Sequence, residues 1–192
     1  MARHLRLEYA GAVYHVTARG NDRSAIFHTE EDRRHFLEVL AAMMERYAVV
    51  LHAYVLMNNH FHLVVRTLEP NLSRFMHDVN TGFSVWTNKR NRRTGHVFEG
   101  RFKAIAMQEE GYLRSVSAYV HLNPVRVRGW KGRAVEERLA RVTEYPWSYP
   151  LPRSTAGNGR MSPGMRRSIS AVRSAPSRWG KSAPCWGSRA RP

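Results

Sequence analysis

The hydrophobic pattern is most informative in a short stretch near the middle of the chain. An apolar run covers residues 49–57, and two asparagines follow it at positions 58–59. Asparagine tolerates positive φ, so this pair suits a two-residue hairpin turn. Side-chain character then alternates over residues 60–66, which is the period of a strand with two different faces. The pattern therefore predicts a β-hairpin that turns at the two asparagines.

The second strand of this hairpin carries apolar residues on one face and histidines on the other. Its core-facing residues are Phe61, Leu63 and Val65. His60 and His62 point to the opposite face, about 7 Å apart, where two imidazoles can converge on one divalent cation. Two strand histidines with ordinary hydrogen bonds are the simpler interpretation of this pair.

The other elements follow from the same kinds of pattern. Strands are predicted at residues 12–18 and 102–108, and helices at about 30–47, from about 70 to the basic segment 89–93, and at 111–122. The order β-α-β-β-α-β predicts an α+β, ferredoxin-like antiparallel sheet with two helices on one face. The third helix, which we expect to end at Asn123-Pro124, is then free to cover the face of the histidines. His15 on the first strand is interpreted as structural.

The third helix carries two polar residues one turn apart, Tyr119 and Asn123. Residues at this spacing share a helix face, so a phenol and a carboxamide could both face the histidine pair. A phenol can act as a nucleophile, and a carboxamide oxygen can be a third ligand to Mg²⁺ or Mn²⁺. Spacing alone favours equally a packed tyrosine and an asparagine that caps the helix end.

The composition of the chain indicates an anionic binding partner. The chain has 192 residues and a net charge of +16, for which nucleic acid is the first candidate partner. Residues 153–192 hold nine Lys or Arg residues and no acidic residue, in a segment rich in Ser, Gly and Pro. We therefore expect a folded catalytic domain over residues 1–149 and a disordered basic tail over residues 150–192.

Basic residues also cluster inside the predicted domain. They are Arg90, Arg92 and Arg93 after the second helix, and Arg101 and Lys103 at the start of the last strand. Such clusters are commonly solvated surface, but together these five form a plausible strip for phosphate contacts.

Cysteine content and hydropathy exclude several classes of protein. The single Cys185 excludes a disulfide framework within the chain and a cysteine-rich zinc site. No apolar run reaches transmembrane length and the N-terminus lacks a signal-like apolar region, so the expected location is the cytoplasm, without membrane association.

Three ordered motifs resemble one family. They are Tyr-Val-Leu-Met-Asn-Asn-His-Phe-His-Leu at 54–63, Phe-Glu-Gly-Arg-Phe-Lys-Ala at 98–104 and Tyr-Val-His-Leu-Asn-Pro-Val-Arg at 119–126. Over roughly residues 3–149 the chain resembles the REP-associated tyrosine transposases, a branch of the single-tyrosine HUH transposases. The basic tail is the main departure from that family.

The resemblance implies a specific reaction. Members of this family cleave single-stranded DNA beside hairpins, leaving a 5′-phosphotyrosine link and a free 3′-hydroxyl that can reverse the reaction. By motif position, Tyr119 would be the nucleophile, and His60, His62 and Asn123 would hold Mg²⁺ or Mn²⁺. Arg101 and Lys103 would contact DNA. Relatives exchange helices between subunits, so a homodimer is also implied.

Two other functions remain compatible with the sequence. One is a non-catalytic single-stranded nucleic-acid-binding module, including an inactivated or domesticated transposase, because RNA-recognition modules share the ferredoxin-like arrangement. Those modules expose aromatic residues on the open sheet face, where this chain has histidines. The other is a metal-dependent phosphodiesterase that uses water in place of tyrosine.

Overall fold

The computed structural model of the protein describes residues 7–107, 110–130 and 132–149. The strands are β1 (Val13–Arg19), β2 (Val49–Leu56), β3 (His60–Thr67), β4 (Lys103–Met107) and β5 (Ser148–Tyr149). The helices are α1 (Glu30–Arg46), α2 (Leu72–Arg90), α3 (Glu110–Arg126) and α4 (Val135–Glu144). The predicted disordered tail, residues 150–192, lies outside the described residues.

The strands form one sheet with the order β4-β1-β3-β2-β5, and every pair in it is antiparallel. Four of the strands and helices α1 and α2 reproduce the predicted α+β, ferredoxin-like arrangement. The predicted hairpin is also confirmed, because β2 pairs with β3 and Met57 donates a backbone hydrogen bond to His60 across the turn. Strand β5 adds a short edge beside β2 that the hydrophobic pattern does not predict.

The larger core lies between the sheet and helices α1 and α2. Both helices place an apolar stripe against the sheet, and Phe61, Leu63 and Val65 of β3 are fully buried in the same cluster. The side-chain oxygen of Thr29 accepts a hydrogen bond from the Asp32 amide, and the Asp32 carboxylate accepts one from the Thr29 amide. This capping box fixes the start of α1 and so sets the orientation of the helix on the sheet.

The opposite face of the sheet is covered in part by α3. Val116 and Val120 pack there against a smaller set of buried residues, Ala53, Val55, Met57 and Val64. This confirms that the third helix lies on the histidine side of the sheet. A smaller apolar cluster on this side leaves room for polar side chains at the middle of the sheet.

The predicted end of α3 at Asn123-Pro124 is wrong, because the helix continues to Arg126 with Pro124 inside it. A proline removes the N–H that would bond to the carbonyl four residues earlier, here that of Val120. The Asn123 side-chain amide donates to the Tyr119 carbonyl at 2.9 Å and to the Val120 carbonyl at 3.4 Å. The asparagine therefore supplies a donor where the proline lacks one, and the helix gains another turn.

Helix α4 was not among the predicted elements. Val135, Leu139 and Val142 recur in it at helical spacing, although none of its residues is buried. None of the helices formed by the described residues combines the length and the hydropathy that crossing a bilayer requires.

Candidate active site at the centre of the sheet

Three histidines meet where β1 and β3 pair. The register places Arg19 opposite His60 and Thr17 opposite His62. Directly opposed side chains of antiparallel strands lie on the same face with Cβ atoms about 5 Å apart. His15, two residues before Thr17, projects from that face as well. Strand pairing therefore brings His15, His60 and His62 together below α3.

His62 is held by two neighbours on β1. Its Nδ1 lies 2.9 Å from Nε2 of His15 and 3.1 Å from Oγ1 of Thr17. The rings of His15 and His62 are nearly parallel, with centroids 5.1 Å apart. When His15 or Thr17 accepts the proton of Nδ1, the Nε2 lone pair of His62 is available as a ligand.

His60 is oriented by the residue that precedes it. Its Nδ1 lies 2.7 Å from the side-chain oxygen of Asn59. The Asn59 amide nitrogen in turn donates to the carbonyl of Arg23 at 2.9 Å, which fixes which end of the amide faces His60. An oxygen acceptor requires a proton on Nδ1, so Nε2 of His60 carries the lone pair. A hydrogen bond of this kind behind a histidine is typical of metal ligands.

Both imidazoles are neutral at pH 7. Burial is the main cause that lowers the pKa of His60, to about 4, and the charge of Arg19 adds to it. Burial likewise lowers the pKa of His62 to about 3, with smaller effects from His60, His15 and Arg19. Neutral imidazole is the form that binds metals.

Tyr119 of α3 lies directly over this cluster. Its ring centroid is 5.8 Å from that of His62 and 5.9 Å from that of His15, in edge-on contacts. The side chain remains 37% exposed, so a bound strand can reach it. The guanidinium of Arg126, two turns along the helix, lies 4.5 Å from the centroid of the tyrosine ring.

Asn123 is buried one turn below Tyr119. Its amide nitrogen serves the helix carbonyls described above, and its oxygen takes no part in those two bonds. Among the described residues no group of three His, Cys, Asp or Glu side chains could hold a metal ion. A carboxamide oxygen is a donor type that suits Mg²⁺ and Mn²⁺, so Asn123 stays the predicted third ligand beside His60 and His62.

Positive charges surround the histidine cluster. Arg19 is exposed at the end of β1, directly opposite His60. Lys103 pairs with Thr17 across β1 and β4, so it shares the histidine face about two strand spacings, or roughly 10 Å, from His62. With Arg126 beside Tyr119, these cations create an electropositive surface for a phosphate.

The other predicted DNA contacts lie outside the histidine cluster. Arg92, Arg93 and Arg101 are exposed in the connection between α2 and β4. Arg90 instead forms ion pairs with Glu31 and Asp32 of α1, and its guanidinium lies 5.2 Å from the centroid of the Trp86 ring. Arg90 therefore joins the two helices, and a DNA contact by any of these four residues stays a prediction.

Several residues of the site were missed or underrated in the sequence. His15 was interpreted as structural, Thr17 and Arg19 were given no role, and Asn59 was treated only as a turn residue. The signal for the β1 residues is their alternate spacing: once β1 is placed beside β3, positions 15, 17 and 19 must share the face of His60 and His62. Nothing in the local sequence indicates that the Asn59 side chain orients His60.

Comparison with known proteins identifies a structure that shares this fold. No curated protein matches the chain. Among solved structures, the chain is similar to a REP-associated tyrosine transposase bound to a REP hairpin, with 18% identity over 84% of this chain and 100% of that one and a TM-score of 0.62. At this identity the likeness shows the shared fold.

Two further structures are more distant. One, described as a transposase of Deinococcus radiodurans R1, has 12% identity over 62% of this chain and 95% of that one and a TM-score of 0.44. The other, the tRNA(His) guanylyltransferase of Saccharomyces cerevisiae, has 7% identity over 87% of this chain and 79% of that one and a TM-score of 0.45. Scores this low support no conclusion about fold or function.

A family model, described as transposase IS200 like, matches residues 8–123. The match includes β1, the hairpin of β2 and β3, and α3 as far as Asn123, so it spans every side chain of the histidine cluster. The chain belongs to the IS200-like transposase family.

Proposed function

We propose that the protein is a metal-dependent DNA strand transferase that cleaves and rejoins single-stranded DNA beside hairpins through a covalent link to Tyr119. The observation that carries this proposal is the position of the Tyr119 ring, 5.8 Å from His62 at an exposed point of a buried polar cluster. A phenol beside two neutral imidazoles and several cations is suited to attack on a phosphodiester.

The reaction exchanges one phosphodiester for another. The Tyr119 oxygen forms a bond to phosphorus, and the bond from phosphorus to the 3′-oxygen of the upstream nucleotide breaks. The phenol proton is released to water, and the leaving 3′-oxygen takes up a proton from water. The downstream strand remains on Tyr119 through its 5′-phosphate, so a 3′-hydroxyl can reverse the step without an external energy source.

Nε2 of His60, Nε2 of His62 and the side-chain oxygen of Asn123 would hold Mg²⁺ or Mn²⁺. Such an ion supplies charge stabilisation and orientation at a phosphate oxygen. Two features of the protein favour binding of such an ion. Both imidazoles are neutral, and the hydrogen bond to Asn59 holds the proton of His60 on Nδ1. Arg19, Lys103 and Arg126 would hold the negative strand over the site.

Hairpin DNA is the proposed substrate. Membership of a transposase family and the shared fold with a transposase bound to a REP hairpin support this choice. Tyr119 contacts His62 of its own chain. A homodimer that exchanges α3 would place the same groups together, so the contact is compatible with action within one subunit or between two.

The test is a cleavage assay with a hairpin oligonucleotide that has single-stranded flanks. The strand is labelled at its 3′ end in one reaction and at its 5′ end in another, with Mn²⁺ or Mg²⁺ present, and products are separated on a denaturing protein gel. We expect the 3′ label to move with the protein and the 5′ label to appear in a shorter free strand. Tyr119→Phe should abolish the protein-bound label.

Tyr47→Phe is the matched control, because its hydroxyl bonds to Asp78 on the α1–α2 side of the sheet. It should retain the adduct. Metal-dependent cleavage without an adduct would indicate hydrolysis by water and overturn the covalent mechanism. Hairpin binding with no cleavage by the wild-type chain would instead identify a non-catalytic DNA-binding protein.

A further inference from the structure

A second cleft opens beside His60, on the side of the hairpin turn. Its volume is about 710 Å³, within the range of ligand-binding pockets. Its walls come from the turn at residues 57–60, from Pro124 of α3, and from the segment around α4. Since His60 lines this cleft and also belongs to the histidine cluster, a strand bound at the candidate site would extend into it.

Aromatic rings and arginines line the same cleft. Trp130, Tyr145 and Trp147 are half-buried, so each has surface in contact with solvent. The Arg141 guanidinium lies 5.8 Å from the ring centroid of Trp130 and 5.2 Å from that of Tyr145. Arg33 lies 5.6 Å from the centroid of Trp147. Aromatic faces with neighbouring arginines are the usual platforms for unpaired bases.

Arg33 is the most unusual residue of the cleft, because it is a cation with only 8% of its surface exposed. Its terminal nitrogens donate to two neutral acceptors, the Thr29 carbonyl at 3.1 Å and the Asn58 side-chain oxygen at 2.6 Å. Its Nε is buried without a partner. Among the described residues no carboxylate forms an ion pair with Arg33.

Among the described residues of the cleft wall, the one acidic residue does not balance this charge. Glu30 is directed to Arg34, with which it forms an exposed ion pair at 3.3 Å. Arg23, Arg33 and Arg141 therefore give the cleft a positive potential and an excess of hydrogen-bond donors. A buried cation without a counter-ion is costly to keep, and a ligand with acceptor atoms would offset that cost.

We infer that this cleft binds one unpaired nucleobase of the DNA strand, next to the phosphate at His60. The inference rests on the proposed function for the position of that phosphate, and it adds a residue set that selects the flanking base. The exposed guanidinium groups of Arg23 and Arg141 on its wall favour a base edge with two acceptors. Guanine presents O6 and N7, which arginine recognises well, whereas adenine places an amino group beside N7.

The test is a binding experiment with the full chain carrying Tyr119→Phe, so that no covalent product forms. A labelled hairpin oligonucleotide is titrated by fluorescence anisotropy, and each unpaired flanking position is replaced in turn by an abasic residue. We expect one position at which base removal weakens binding about tenfold or more, as stacking on an aromatic side chain implies. Guanine should bind more tightly than adenine at that position.

The same scan is repeated with Arg141→Gln and with Trp147→Leu, each added to Tyr119→Phe. At the sensitive position the effect of base removal should fall below about twofold, because the base and the side chain act on each other. Arg34→Gln is the matched control, since it removes an exposed arginine adjacent to Arg33 in sequence, and it should leave the scan unchanged. Thermal unfolding of each variant shows whether it is folded, and Arg141→Gln, at an exposed position, carries the test if Trp147→Leu does not fold.

Two results would overturn the inference. One is an abasic scan that is the same in the cleft variants and in their parent. The other is weakening by Arg141→Gln that is equal at all positions, which would indicate a phosphate contact only. The two proposals can fail separately. If the wild-type chain forms no adduct but the scan has a sensitive position that the cleft variants remove, the cleft inference holds and the covalent function is rejected. If the wild-type chain forms the adduct but the cleft variants do not alter the scan, the covalent function holds and the cleft inference is rejected.

Discussion

The two faces of the sheet use the same strands for different purposes. On the side of α1 and α2, Phe61, Leu63 and Val65 are fully buried within a large apolar cluster. On the side of α3, the intervening positions of β3 carry His60 and His62, beside a small apolar cluster. Because successive side chains of a strand point to opposite faces, β3 contributes to the apolar core with one set of residues and to the polar cluster with the other. A change on the apolar face should therefore affect mainly stability, and a change on the histidine face should affect mainly reactivity and the pH dependence of stability.

The largest expected effect is on the apolar face. Phe61→Ala removes a fully buried ring that contacts the rings of Phe36 and Phe98. We expect the free energy of unfolding to fall by about 3–5 kcal/mol, because the substitution loses apolar burial and leaves a cavity. Chemical denaturation measures the change, with Phe61→Leu as a smaller truncation at the same site. A loss below about 1 kcal/mol for the alanine variant would contradict the assignment of this face as the main core.

The histidine face should make stability depend on pH. The pKa of His60 is about 4 and that of His62 about 3 in the folded protein, below the ordinary value of 6.5. Between the folded pKa and 6.5, each histidine binds more protons in the unfolded chain than in the folded protein. This contribution to stability is therefore complete above about pH 6.5 and falls as the pH drops toward 4. Each histidine contributes at most about 1.4 kcal/mol per pH unit in that window.

Denaturation of the chelator-treated protein at a series of pH values measures this slope. His62→Gln should reduce it, because glutamine does not titrate, and the reduction should be confined to pH values below about 6.5. The same slope in the variant and the wild type would show that His62 is not held neutral by burial.

Asn123 distinguishes a structural role from a ligand role. Asn123→Asp keeps an oxygen but loses the amide donor to the Tyr119 and Val120 carbonyls, whereas Asn123→Ala loses both. We expect each to lower the free energy of unfolding by about 1–2 kcal/mol, since hydrogen bonds contribute roughly 1 kcal/mol each. Only the aspartate should retain Mn²⁺ binding, as measured by isothermal titration calorimetry. Equal Mn²⁺ affinity for both variants would remove Asn123 from the proposed ligands.

The smallest effect is expected for a cation at the edge of the histidine face. Lys103→Gln should weaken single-stranded DNA binding and reduce the slope of log affinity against log salt by about 0.7, the value for one phosphate contact. Arg46→Gln is the comparison, because Arg46 pairs with Asp78 on the helix side of the sheet. Binding measured at several salt concentrations should show no change in slope for Arg46→Gln. Equal effects of the two variants would show that only net charge matters.

Local patterns were sufficient for much of this molecule. The alternation in β3 predicted both of its faces, and helical periodicity predicted α1 over about residues 30–47. Family motifs supplied Tyr119, His60, His62 and Asn123, of which the structure brings the tyrosine and the histidines into ring contact. These features depend on neighbours in sequence or on the spacing within the family motifs.

The features that were not predicted depend on contacts between distant residues. The Asn123 side chain overrides the local rule that a helix ends before proline, and Glu31 of α1 engages an arginine that otherwise resembles a DNA contact. His15 joins the site only because β1 lies beside β3. Helix α4 is the exception, because Val135, Leu139 and Val142 form a local helical pattern that was overlooked. Side-chain geometry and strand order, rather than composition, determine these outcomes.

The most direct test of the central claim is to locate the DNA on the protein. The wild-type chain is incubated with Mn²⁺ and the hairpin oligonucleotide, digested with nuclease and protease, and analysed by peptide mass spectrometry. We predict a nucleotide joined through its 5′-phosphate to the peptide that contains Tyr119, and to no other tyrosine. A nucleotide on a different residue, or cleaved DNA with a free 5′-phosphate and an unmodified Tyr119 peptide, would contradict the account.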